Sequence, residues 1–356
     1  MPGTLYRRSI EIILKHQHAG GAYPASPGFP TYRYCWMRDG SFTAYAMDLV
    51  GQRASAERFH HWAAEIINAR QGLVARAIAK GQRGEPLASR DYLHTRFTLS
   101  GEESSDADWP SFQLDGYGTW LWALGQYGLR HNRALPDSWY EASDAVAEYL
   151  SALWTSPCYD CWEEFPDRVH SHTLAAVLAG LRAHAELRAA DHGAVIRAIE
   201  SVLLEQTPLG GQFVKYLGSD QVDASLIGLA VPYGLVPPTD PRMRATVERI
   251  EKELRSGGGV HRYSRDTYYG GGEWVLLTAW LGWYYREAGE HARVAQAVRW
   301  VETQADEIGQ LPEQVPATLI DSSQYSPWVK RWGEIARPLL WSHAMYLILS
   351  HGLGAA

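Results

Sequence analysis

Cysteine is scarce. The 356-residue chain has three, Cys35, Cys158 and Cys161. So few cannot frame a disulfide-built fold, and the number fits a reducing cytosol. Cys158 and Cys161 form one CxxC. A second ligand pair at zinc spacing is missing, and no thioredoxin-like βαβ pattern surrounds it, which speaks against a redox or metal role. Long hydrophobic runs are missing as well. Nothing approaches the ~20 apolar residues of a membrane-spanning helix. The opening stretch, MPGTLYRRSIEIILKHQ, is broken by charges and holds no apolar signal segment. A cytoplasmic location without membrane contact is therefore expected. There is no basic stripe in a chain of net charge −7, so nucleic acid is an unexpected partner. HExxH is absent and the 14 histidines are scattered. HSH at 170–172 and HQH at 16–18 read as helix-end or surface residues. No metal and no cofactor is expected.

Apolar residues make up 46% of the chain, enough for a substantial core. The aromatics are unbalanced: 15 Trp and 20 Tyr against 7 Phe. Trp and Tyr join a flat apolar face to a polar edge, which suits sugar rings as well as the core of a large helical domain.

Periodicity predicts helices and few strands. The segments run approximately over 4–18, 38–51, 53–70, 113–130, 136–155, 170–189, 191–206, 220–231, 241–255, 272–288, 290–307 and 338–352. Odd-numbered segments carry one apolar stripe, as with Trp139, Ala142, Val146, Tyr149, Leu150 and Leu153 in the fifth. Even-numbered ones, such as EWVLLTAWLGWYY and PLLWSHAMYLILS, are apolar nearly all round, as a helix enclosed by other helices must be. Connections after even segments are short (GQRA, HNRALP, RAADHG, REAGEH). Those after odd segments are long, and long loops inside a compact domain are usually functional. Outer and inner helices in alternation put every long loop at one end. The expected architecture is an all-α (α/α)6 barrel, six inner helices ringed by six outer ones, forming a single domain over 1–356.

Those loops hold acids, arginines and aromatics. YRYCWMRDG carries Arg38 and Asp39 at a helix start, where capping alone accounts for an Asp. DADWPSFQLDG carries Trp109. YDCWEEFPDR sets two acids side by side behind a tryptophan. GGGVHRYSRDTYYGGGEW places Arg262, Asp266 and Tyr268 between glycine triplets. These triplets lack the strand and lysine of a phosphate loop and read as tight turns. QLPEQV puts Glu313 in a turn. Glu102 and Glu103, in LSGEESSD, read as surface acids that could approach the site.

In these blocks the sequence resembles the glucoamylase-like inverting α-glucosidases, glycoside hydrolase family 15. YRYCWMRD, W…QLDG, YDCWEE, RYSRDTYYGGGEW, LPEQ and PLLWSHA follow in family order from about Tyr32 to His343. The resemblance implies that Glu163 is the general acid and Glu313 the general base. Arg38, Asp39 and Arg262 would hold the hydroxyls of the terminal glucose, and Trp109 would form a wall that supports the acid. Glu164 would reach toward the next sugar. Tyr32, Trp36, Asp266, Tyr268 and Trp274 would line or support the pocket.

Acetal hydrolysis needs one protonated and one ionised carboxyl. The adjacent Glu164 charge and aromatic desolvation are expected to raise the pKa of Glu163. The two acids stand 150 positions apart (313 − 163) and would face each other across the ring. An inverting pair lies roughly 6.5–9.5 Å apart, leaving room for water. The expected activity is exo-acting release of β-glucose from short α-linked oligosaccharides. Isomaltose-type α-1,6 links, maltose-type α-1,4 links and trehalose all stay open, with a lean toward α-1,6 or a mixed preference.

Departures from the family pattern accompany these matches. The chain is expected to start at the first barrel helix, without the N-terminal β-sandwich domain of many bacterial relatives. FPDRVHSHT follows the acid where those relatives tend toward Arg-Gly, which leaves linkage preference open. A non-catalytic sugar sensor on the same barrel is disfavoured because both acids are present. A terpene cyclase is disfavoured because SSDADW falls short of DxDD.

Overall fold

The computed structural model describes residues 3–103, 109–205 and 211–353. The SSDADW stretch falls outside it, apart from Trp109. Thirteen α-helices are described: α1 (Thr4–His16), α2 (Met37–Leu49), α3 (Arg53–Asn68), α4 (Gln71–Gln82), α5 (Asp115–His131), α6 (Asp137–Leu153), α7 (Ser171–Arg188), α8 (Gly193–Glu205), α9 (Pro241–Leu254), α10 (Val275–Glu287), α11 (His291–Thr303), α12 (Tyr325–Trp332) and α13 (Leu340–Ser350).

The inner ring closes on itself. α2 packs on α5, α5 on α7, α7 on a 3-10 helix at Ala224–Leu229, that helix on α10, α10 on α13, and α13 back on α2. Burial explains the order. Every residue of α10 from Val275 to Tyr285 and of α13 from Leu340 to Leu349 is buried. The outer helix α11 buries only Val294, Ala297 and Val301, one stripe at helical spacing. α5 and α7 lie backbone to backbone. A Cβ on Gly118 would come 2.5 Å from the Ala176 carbonyl, and one on Gly180 would come 2.6 Å from the Gly118 carbonyl. Only glycine permits that crossing.

Three segments differ from the sequence reading. The expected inner helix over 220–231 is the short 3-10 helix instead. The Asp223 carboxylate caps its start by accepting from the Ser225 N–H at 2.8 Å, and Pro232, which has no N–H, follows closely. α4 and α12 lie within stretches read as long loops. α4 buries only Val74 and Ala77, and the eight-residue α12 buries nothing, so neither adds a buried face to the core. The HSH at 170–172 is at a helix start as expected, but His170 and His172 are buried rather than on the surface.

Two small antiparallel sheets form at the long-loop end. β1 (Cys35–Trp36) pairs with β2 (Arg96–Phe97). β3 (Arg255–Ser256), β4 (Gly259–Val260), β5 (Glu273–Trp274) and β6 (Gln314–Val315) follow one another in the second. Each strand is only two residues long, too short to show alternation in sequence. Among the described residues no helix is long and apolar enough to cross a membrane.

Candidate active site

The long connections meet around one cavity of ≈ 790 Å³. Tyr32, Trp36, Arg38, Asp39, Trp109, Glu163, Glu164, Arg262, Tyr268, Trp274 and Glu313 all line it. Asp266 does not. It is fully buried behind the wall and holds Arg262 from there. The strands account for much of this convergence. β1 ends in Trp36, β5 in Trp274, β4 leads into Arg262, and Glu313 immediately precedes β6. Glu273 pairs with Val315, which fixes Trp274 and Glu313 on neighbouring strand ends.

Glu163 is gripped through one oxygen. Its Oε1 accepts from Trp36 Nε1 at 2.7 Å, Trp109 Nε1 at 3.0 Å and Gln113 Nε2 at 3.1 Å. Oε2 has no protein donor among the described residues. Glu163 also holds a left-handed backbone, φ 69°, and Phe165 two residues on has φ 52°. For residues other than glycine this costs about 1–2 kcal/mol each. The loop is tied down to match. Asp160 Oδ1 accepts from the N–H groups of Trp162 and Glu164, both at 2.9 Å. The buried Lys215 ammonium lies 3.4 Å from Asp160 and 2.8 Å from Asp223. Asp223 in turn accepts from Trp162 Nε1 at 3.0 Å. Burial works against the Lys215 charge, yet the two aspartates overcome it and hold the ammonium's pKa above its usual value.

The two adjacent acids do not share partners. Glu164 accepts from the Tyr263 hydroxyl at 2.6 Å and lies 3.9 Å from Arg262. Burial raises its pKa, and Arg262 opposes the rise. The two side chains thus turn to different partners.

Glu313 lines the same cavity and is 3% exposed. Burial pushes its pKa up to about 8, with Arg262 and the Tyr32 hydroxyl pulling the other way. Its Oε2 is buried with no hydrogen-bond partner among the described residues. The Tyr32 hydroxyl lies 2.7 Å from that of Tyr268; burial raises its pKa, and Glu313 and Glu163 add to the rise. Asp39 is likewise near both acids. Burial pushes it to about 6 against the pull of Arg38, and Glu163 adds to the rise.

Two arginines are held rigid beside these carboxyls. Arg262 donates Nε and Nη2 to Asp266 at 2.7 and 2.5 Å, a bidentate pair. Arg38 donates to Gln113 at 2.9 Å and Asp115 at 3.1 Å, and its Nε faces Asp39 at 3.5 Å. Such a ring of fixed donors and acceptors suits a polyhydroxylated ligand. Among the described residues no group of His, Cys, Asp and Glu is placed to hold a metal ion.

The family model for glycosyl hydrolases family 15 matches residues 3–351. The chain belongs to this family. An isomaltose glucohydrolase of Kribbella flavida is 46% identical over 98% of this chain and 92% of its own length. A glycosidase solved in complex with glucose superposes with TM-score 0.93 at 45% identity, covering 98% of this chain and 96% of that one. A trehalase of Sulfolobus acidocaldarius is 25% identical over 76% of this chain, which spans 49% of that protein. This family 15 member is therefore a glycoside hydrolase on an (α/α)6 barrel.

Several residues of the site were not legible beforehand. Lys215 and Arg96 each stand as a lone cation in an ordinary stretch. Arg96 is 0% exposed, its guanidinium 3.4 Å from the Trp109 ring centre and 5.1 Å from that of Trp36. Trp328, Arg331 and Trp332 come from the unexpected α12. Glu102 and Glu103 are exposed and outside the cavity lining, and Glu103 pairs with Arg70 at 3.2 Å.

Proposed function

We propose that the chain is an inverting, exo-acting α-glucosidase that frees β-glucose from the non-reducing end of short α-1,6-linked glucosides, isomaltose first among them. The observation that carries this reading is the cavity into which both Glu163 and Glu313 open. Glu163 gives its proton to the glycosidic oxygen as the bond from that oxygen to the anomeric carbon breaks. Glu313 takes a proton from water as the water oxygen bonds to the anomeric carbon from the opposite face. The positive charge developing on the sugar ring passes between the two carboxyls. Arg38, Asp39 and Arg262 grip the hydroxyls of the departing glucose ring. Trp109 walls it, and Glu164 reaches toward the next sugar.

Three N–H donors on one oxygen of Glu163 fix the carboxyl plane and leave Oε2 for the proton. The base must be ionised, while burial holds a proton on Glu313 up to about 8 in the free protein. Sugar hydroxyls and the attacking water, donating to Glu313 in the complex, add to the pull of Arg262 and Tyr32. We keep the base role for Glu313 because its Oε2 has no partner to displace among the described residues. The greater likeness to an isomaltose glucohydrolase than to a trehalase supports the α-1,6 preference. Three free cysteines fit a cytosolic site of action on small soluble sugars.

The test is glucose release from isomaltose, maltose and trehalose in EDTA. Isomaltose should be cleaved fastest. Trehalose as the sole substrate would convert the reading to a trehalase, and silence on all three would favour a sugar sensor.

A further inference from the structure

α12 is unusual among the helices. None of its residues is buried, yet it carries two tryptophans, Trp328 and Trp332, and Arg331. At spacing i, i+3 and i+4 these share one face, and all three line the cavity that holds Glu163 and Glu313. The face is not taken up by the core. Trp332 remains 36% exposed. Arg331 lies 4.9 Å from the Trp332 ring centre and 5.8 Å from that of Trp328, with no carboxylate partner among the described residues.

The helix is nevertheless fixed in place. Trp328 meets the Tyr268 ring edge-on at 4.9 Å between centres and lies nearly parallel to the Tyr269 ring at 6.1 Å. The Tyr269 hydroxyl donates to the Gly333 carbonyl at 2.8 Å and pins the helix end. The same Tyr268 binds Tyr32 deep in the pocket. α12 therefore stands one aromatic layer outward from the catalytic carboxyls.

We propose that α12 is the platform that receives the leaving sugar. The reading rests on the glucosidase function above. The ring of the second hexose lies against the exposed indole of Trp332, whose face takes its C–H groups, and Arg331 donates to its hydroxyls. Two indoles and a cation without an anionic partner among the described residues form a surface for a neutral, hydroxyl-rich ring. They offer little to a long apolar chain. The platform binds the part of the substrate that does not react, so it acts through substrate affinity and sets the preference for a sugar as leaving group.

The experiment compares two substrates that share the glucose and differ in leaving group: isomaltose, which leaves a hexose, and α-glucosyl fluoride, which leaves one ion. The variants are Trp332→Ala, Arg331→Ala and the conservative Trp332→Phe. For the alanine variants, the ratio of kcat/KM on isomaltose to kcat/KM on the fluoride should fall about tenfold, chiefly through KM for isomaltose. Trp332→Phe, which keeps a ring face, should recover part of that ratio. Hydrolysis of the fluoride shows in the same tube that each variant is folded. A ratio within about twofold of wild type, or an equal fall on both substrates, would overturn the proposal. Wild-type silence on both substrates would instead overturn the glucosidase reading, and the platform with it.

Discussion

The indole N–H of Trp36 donates to Oε1 of Glu163 across 2.7 Å, the shortest of three bonds that hold this carboxyl. Such an anchored group can deliver a proton from its free oxygen with little reorganisation. Glu163→Gln keeps the shape but has no proton of suitable acidity. It should lower kcat on isomaltose by about 10²- to 10⁴-fold, and Glu313→Gln should do the same. Steady-state kinetics check both, and near-normal turnover in either variant would remove its assigned role.

Arg96 lies under the two indoles that donate to Glu163, 3.4 Å from the Trp109 ring centre. A cation against an indole face is worth ~1–2 kcal/mol when desolvated. Arg96→Met keeps much of the bulk and removes the charge. Both indoles should lose their fixed position, with kcat on isomaltose falling about tenfold and KM changing little. A variant with unaltered kcat would reduce Arg96 to a packing residue.

Lys215 neutralises two buried aspartates and so holds the strained loop of Glu163. Removing one partner of a buried pair leaves the other charge uncompensated. Lys215→Met should destabilise the protein by ~3–5 kcal/mol. Denaturant unfolding measures this, and activity should fall even below the melting transition because the loop can relax. A midpoint equal to that of wild type would show that the aspartates need no counterion.

The pH dependence follows from Glu313. As a base it is competent only when ionised. In the free enzyme kcat/KM should therefore rise with pH, reach half its limit at about 8 and level off only above that. The limb in kcat, which reports the complex, should lie lower. Tyr32→Phe removes a hydrogen bond that lowers the pKa of Glu313, so the kcat/KM limb should move to higher pH. Stability carries the opposite sign. A carboxyl with its folded pKa raised binds its proton more tightly when folded. The wild type therefore loses stability as pH climbs from the unfolded carboxyl value toward about 8. Glu313→Gln does not, so its Tm advantage should be larger at pH 9 than at pH 5. Equal gaps at both pH values would contradict a buried, protonated Glu313.

The barrel could be read in sequence because enclosure leaves a composition signature. VLLTAWLGWYY is apolar all round since α10 has neighbours on every side. The failures have a different cause. α12 has only eight residues, with Pro327 among them, so it read as part of a loop, and the 3-10 helix at Ala224–Leu229 has too few turns to be told from an α-helix by periodicity. In the site, Glu163, Glu313 and their Trp and Arg neighbours were visible in dense local blocks. Lys215 was not, since its partner Asp160 is remote in sequence and a lone lysine reads as solvated. The partners of the Glu163–Glu164 pair could not be read from adjacency: Glu164 turns to Tyr263 and Glu163 to the tryptophans.

The central claim is that Glu163 and Glu313 act from opposite sides of one anomeric carbon. The most direct measurement is proton NMR of the glucose first formed from isomaltose, recorded before mutarotation. The account predicts the β-anomer appearing first, with α-glucose growing only as the anomers equilibrate. Initial release of α-glucose would mean that the two carboxyls work by double displacement, contradicting the arrangement proposed for them.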